Sequence, residues 1–262
     1  MRKIDNKLID RMTKGDLLPL LNYIKSDDEL RLEVRQKGDA FVYYRKGKAL
    51  EIKKLKVDPK YGNVPPTKLA VTNPKEYFKQ IKQSIDNWLS DNKQRAEFDT
   101  QQNIAKFNQD NISRFVILDM EYAFEQNQIE KNDREKRGVF DLLGIERETN
   151  KIVFFEVKKG MGATKGKSGI DEHISDFENY LFGKNSDTFR LNLLQDVKNI
   201  INNKTELGIL KGLNFSDSYS QQSPELVFVF HPDNDSQIQD FSKELGNRHK
   251  LIVVNDSNYK LL

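Results

Sequence analysis

Apolar residues recur every three or four positions at two places in the first hundred residues. Leu17, Leu20, Leu21 and Ile24 make one such stripe; Tyr77, Phe78, Ile81, Ile85, Trp88 and Leu89 make the other. That spacing gathers them on one side of a helix. Asp16 stands where it can cap the first helix, and Pro74 suits the first turn of the second. Between them Leu30, Leu32 and Val34 alternate with charged residues, and two turns, Lys37-Gly38-Asp39 and Lys46-Gly47-Lys48, separate apolar runs at 41–44 and 49–55. This predicts a three-stranded meander with polar residues on much of one face. Residues 58–67 carry Pro59, Gly62, Pro65 and Pro66 and break the pattern. The expected division is therefore a helix-and-meander lobe at 1–62 and a main domain at 63–262.

The helical pattern runs on to about residue 108, as one helix or two, with Ala96, Phe98, Ile104 and Phe107 in the second part. Three strands follow at 114–124, 138–145 and 151–158, then a Gly/Lys-rich loop at 159–167. Helices are predicted at 168–182 and 187–201. A continuously apolar strand at 225–230, of the kind buried on both faces, a helix at 237–245 and a strand at 251–254 complete the chain. The expected fold class is α+β (mixed α/β): a central mixed sheet flanked by helices, plus the small N-terminal β-rich lobe.

The composition supports a real core, since 37% of the 262 residues are hydrophobic and 10% aromatic. Although 32% are charged, 43 Lys plus Arg against 40 Asp plus Glu leave a formal net charge of only +3. Global charge therefore does not announce a nucleic-acid partner, and any such case rests on local clustering. The absence of cysteine excludes disulfides and thiolate metal sites; His173, His231 and His249 are widely spaced and form no zinc pattern. With no apolar leader and no run near the ~20 residues that span a bilayer, a soluble, cytoplasmic protein is expected.

The chemistry is concentrated in residues 139–160, VFDLLGIERETNKIVFFEVKKG. Side chains alternate faces along a strand, so Ile152, Phe154, Glu156 and Lys158 share one face of the third strand. Asp141 lies on the preceding strand with Val139, Leu143 and Ile145. A four-residue loop, 147–150, would pair Glu146 with Lys151 and set Asp141 opposite Glu156. A two-residue loop, Thr149-Asn150, would set Asp141 opposite Lys158. Either even length puts all three on one face, and an odd length would not without a bulge. Opposed residues have Cβ atoms ~4.5–5.5 Å apart, a range at which two carboxylates repel unless a cation joins them. Mg²⁺ or Mn²⁺, a hard divalent ion with oxygen ligands, suits such a pair. Lys158 could offset charge on a scissile phosphate or lower the pKa of an attacking water.

With these residues the chain resembles the PD-(D/E)XK, or restriction-endonuclease-like, nuclease superfamily, whose signature is an Asp on one strand and Glu-x-Lys on the next. Asp141 and Glu156-Val157-Lys158 match both parts, and the order helix, three-stranded meander, helix, strand matches residues from about 90 to 230. The Pro that names the motif is absent; Phe140 precedes Asp141. The resemblance implies that Asp141, Glu156 and the backbone carbonyl of Val157 hold the metal and that Lys158 is the catalytic lysine. It also implies a further acidic residue, for which Glu121 is the leading candidate and Asp119 and Glu97 the others.

Lys159, Lys165, Lys167 and Ser168, with the glycines among them, lie where a loop enters a helix, a place suited to a nucleic-acid phosphate. Lys131, Arg134, Lys136 and Arg137 form a second basic group, mixed with Glu130, Asp133 and Glu135. His173 reads as a surface or packing residue. The expected function is metal-dependent hydrolysis of nucleic acid, DNA ahead of RNA, in a setting such as restriction, repair or defence against phage. The alternative is a non-catalytic nucleic-acid-binding or assembly module that keeps the fold, with the N-terminal lobe as docking surface for partner proteins or a second copy.

Overall fold

The computed structural model describes residues 1–91, 96–109, 112–124, 139–166 and 169–262. It is a mixed α+β structure with one three-stranded and one five-stranded sheet. The chain forms two compact units. The first comprises Met1–Gln102 with Asn199–Asn214, and the second Asn103–Lys198 with Phe215–Leu262.

The first unit begins with α1 (Asn6–Thr13) and α2 (Leu18–Ser26), followed by β1 (Arg31–Val34), β2 (Ala40–Tyr44) and β3 (Gly47–Glu51) in an antiparallel meander. Asp5 caps α1 by accepting the Lys7 N–H at 2.9 Å. Asp16 does not cap α2 as expected: its carboxylate is taken by the Arg11 guanidinium, at 2.7 and 2.8 Å. The second hairpin turn sits one residue earlier than the glycine suggests. Arg45 and Lys46 take the left-handed conformation, with φ of 47° and 58°. That conformation costs a non-glycine residue roughly 1–2 kcal/mol. Here the guanidinium of Arg45 grips Asp86 and Asp99, and the Lys46 N–H meets Gln102 Oε1 at 2.7 Å. Gly47 serves close packing instead, since a Cβ there would lie 2.6 Å from the Tyr61 hydroxyl.

α3 (Leu69–Thr72) and α4 (Pro74–Asp91) follow. The α4 stripe packs on the small sheet and on α2: Tyr77 donates its hydroxyl proton to the Ala49 carbonyl of β3 at 2.7 Å, and Phe78 stacks on Tyr23 of α2. This is why the expected boundary near residue 62 falls inside the first unit rather than at its edge. The polar residues expected on much of one face of the meander are largely buried rather than solvated. Glu33 is fully buried between Arg31, at 3.4 Å, and Lys204, at 2.5 Å.

α5 (Ala96–Phe107) leads into the second unit, whose strands are β4 (Phe115–Ala123), β5 (Val139–Glu146), β6 (Lys151–Lys159), β7 (Glu225–His231) and β8 (Lys250–Val253). They lie side by side in chain order; β4, β5 and β6 are antiparallel, and β7 and β8 continue parallel to β6. The β6–β7 connection carries α6 (Ile170–Leu181) and α7 (Ser186–Glu206), and α8 (Ser236–Leu245) joins β7 to β8. Phe177 of α6 packs on Phe154, and Phe241 of α8 stacks on Phe230 at 4.2 Å, covering one face of the sheet. On the other, Phe155 meets Phe115, and Tyr259 lies between Phe107 and His231. β6 is thereby buried along almost its whole length, which is the setting of the candidate site. No described helix is long and apolar enough to cross a membrane.

Candidate active site

The register of β5 against β6 is set by the loop between them. Glu146 pairs with Lys151, leaving the four residues 147–150 as the turn. Asn150 takes the left-handed conformation with φ 55°, which Asn tolerates better than most residues. Arg114 and Thr149 both bind the Glu146 carboxylate and tie down the turn. From there the pairs run to Leu142–Phe155, and the next step on the same diagonal is Asp141 with Glu156. Asp141 is half-buried, and its Oδ2 accepts the backbone N–H of Val157 at 2.9 Å. That contact joins Asp141 to the residue between Glu156 and Lys158.

On the other side of Asp141, β4 presents Glu121, which falls between the pairs Met120–Leu142 and Tyr122–Phe140. Glu121 has φ 55°, so β4 carries a left-handed residue at the rung where β5 carries Asp141. Simple alternation stops there. Phe140 packs 4.7 Å and Tyr122 5.8 Å from the ring of Phe154, although strict parity would put both on the opposite face from it. Between β5 and β6 the parity expected of an uninterrupted strand pair thus holds up to Leu142 and is reset at the acidic rung, while β4 is already shifted against β5 between Ile117 and Asp119. Irregularities of this kind re-aim side chains and are common beside active sites.

Glu156 and Lys158 are each only 2% exposed. Lys158 Nζ lies 2.7 Å from Glu156 Oε1. His173, in the first turn of α6, adds Nε2 at 2.8 Å from the same oxygen and 3.3 Å from Lys158 Nζ. Glu156 Oε2 and His173 Nδ1 are buried without a hydrogen-bond partner among the described residues. Burial by itself would push the Glu156 carboxyl up, but the Lys158 ammonium and His173 outweigh it and hold the pKa down at about 2. The group is therefore a carboxylate at neutral pH. His173 was readable only as a helical residue after the Gly/Lys loop; its partner lies 17 positions back in the chain, and no local pattern links the two.

The remaining candidates are more dispersed. Asp119 is fully buried on β4, and Glu97 belongs to the first unit. Lys159 closes β6 half-buried beside His231, and Lys165 is exposed in the loop that follows. Lys167, Ser168 and the basic group Lys131, Arg134, Lys136 and Arg137 lie outside the described residues.

Among the described residues no three or more His, Asp or Glu side chains already form a metal cage. A closed cage is not what Mg²⁺ needs, since it usually takes one or two protein carboxylates and completes its shell with water and substrate phosphate. The bare, buried Oε2 of Glu156 and the neighbouring Asp141 fit that demand. No protein-family model, no curated protein and no solved structure matches this chain.

Proposed function

We propose that this chain is a metal-dependent phosphodiester hydrolase of the PD-(D/E)XK type, acting on nucleic acid, with DNA ahead of RNA. The observation that carries the reading is a buried carboxylate with one oxygen bare. Among the described residues Glu156 has Lys158 and His173 on Oε1 and no hydrogen-bond partner on Oε2, and Asp141 is anchored one residue away on the Val157 amide. A buried polar atom without a partner costs about 1–3 kcal/mol, more when charged, and a bound cation removes that penalty. The αβββααβ succession from α5 to β7, in which α6 and α7 both lie between β6 and β7, supports the same reading.

In this reading Asp141, Glu156 and the Val157 carbonyl would hold Mg²⁺ or Mn²⁺. When bound, the metal would supply activation of a water and stabilisation of the leaving oxygen. Asp141 is oriented by the Val157 amide. Lys158, already charged and desolvated, neutralises a non-bridging phosphate oxygen. Glu121 places a third carboxylate at the Asp141 rung, and Lys159 and Lys165 offer positive charge to the phosphate backbone.

One observation favours a non-catalytic module: Glu156 and Lys158 satisfy each other as an ion pair, which a purely structural site would also show. A cleavage panel separates the two. Purified protein with Mg²⁺ or Mn²⁺ is expected to cut at least one of double-stranded, single-stranded or branched DNA or RNA, and the folded Lys158→Ala variant none. Cleavage unchanged in Lys158→Ala would sink the assignment, and salt-dependent binding without cleavage would favour the module.

A further inference from the structure

We infer that His173 is a positioning residue that assigns the two oxygens of Glu156 to different tasks. The inference rests on the metal-dependent reading and adds to it a residue that the Asp/Glu/Lys motif does not contain. His173 Nε2 lies 2.8 Å from the anionic Glu156 Oε1 and 3.3 Å from the cationic Lys158 Nζ. One ring nitrogen cannot donate to the first and accept from the second at once. The shorter contact, to the anion, places the proton on Nε2. The other tautomer would turn a lone pair on the carboxylate and leave a buried N–H at Nδ1 without an acceptor. Glu156 Oε1 therefore receives two donors, one from its own strand and one from α6, while Oε2 receives none among the described residues.

The terminal torsion of a glutamate is soft, and one donor on a flexible lysine stem does not fix it. A second donor on a separate element does. It also frees Lys158: when the ammonium turns to a phosphate, His173 keeps Oε1 hydrogen-bonded, so the carboxylate neither rotates nor is left with two bare oxygens. Hydrogen-bonded partners that orient a ligating carboxylate in this way typically matter 10–100-fold in metal affinity.

The test is Mn²⁺ binding by the full-length protein, read from the electron paramagnetic resonance of free Mn²⁺ without any substrate. His173→Met fills the space with no donor, His173→Gln restores an N–H, and Glu156→Gln controls for the site. His173→Met is expected to weaken binding roughly 10–100-fold and His173→Gln to stay close to the parent, with circular dichroism unchanged in both. The inference is overturned if His173→Met binds like the parent, or if His173→Gln loses as much as His173→Met. Failure of both to fold would show a structural role and overturn it too. If Glu156→Gln binds Mn²⁺ like the parent, or the parent binds none, the metal-dependent reading fails, and the role of His173 with it.

Discussion

Replacing Lys158 by Met asks how much the buried pair depends on both partners. Lys158 and Glu156 are 2% exposed and 2.7 Å apart, so the substitution leaves a desolvated carboxylate whose only described donor is His173. Removing one partner of a buried pair typically costs about 3–5 kcal/mol. Because Oε1 retains His173, the expected loss lies at the low end, about 3 kcal/mol, measured by urea unfolding at pH 7 in EDTA. The pH dependence should also change sign. In the parent the Glu156 pKa is held at about 2, below its ordinary 4.5, so its contribution is present above pH 4.5 and lost as the pH falls toward 2. With Lys158 gone, burial dominates and pushes the carboxyl up, so that contribution should be lost as pH rises through the raised folded-state pKa. The double variant Glu156→Gln/Lys158→Met should recover much of the loss, since neither charge is then stranded. A Lys158→Met protein within about 0.5 kcal/mol of the parent, with an unchanged pH profile, would show that the pair is not buried as described, because only an exposed pair is that dispensable.

Three further outcomes are expected. Asn150→Val should cost about 1–2 kcal/mol by urea unfolding, because the turn that sets the β5–β6 register needs φ 55°, whereas Asn150→Gly should be tolerated; equal stability of the two would contradict that account. Lys204→Met should cost about 3–5 kcal/mol because it strands the fully buried Glu33, and a loss under about 1 kcal/mol would show that Arg31 alone suffices. Burial lowers the His231 and His249 pKa values from their ordinary 6.5, with Lys159 lowering His231 further. The stability from keeping these rings neutral is present above pH 6.5 and lost as pH falls through the lowered folded-state pKa values. His249→Phe should flatten part of that slope, and an unaltered slope would argue against the assignment.

The parts of this structure readable from sequence are those where one periodicity dominates. β5, β6 and β7 fall within a residue or two of expectation, because alternation or an unbroken apolar run marks them and Gly, Asn or Pro bounds them. The loop of four residues was one of two even lengths that the pattern allowed, and interactions at Glu146 favour it. What stayed hidden depends on distant partners. α1 buries only Leu8, Ile9 and Met12, too few to stand out in a charged segment. Asp16 had a local role on paper and lost it to Arg11. The buried Glu33 finds Lys204 across 171 positions, and no reading of the meander alone distinguishes that from a solvated face. At the site, Asp141, Glu156 and Lys158 could be singled out by type and spacing. The reset of strand alternation at Glu121 and Asp141 could not, since a non-glycine residue with positive φ leaves no mark in sequence. His173 was likewise out of reach of a local pattern.

The most direct test of the central claim is single-turnover cleavage of the best nucleic-acid substrate across a Mg²⁺ titration, comparing the parent with Glu156→Gln. The substitution keeps the shape of the side chain and removes the charge on the bare Oε2. The parent should cleave in a Mg²⁺-dependent manner, and a folded Glu156→Gln protein should lose at least ~100-fold in rate and need more Mg²⁺. Equal rates at equal Mg²⁺, or cleavage by the parent that persists in EDTA, would contradict that claim.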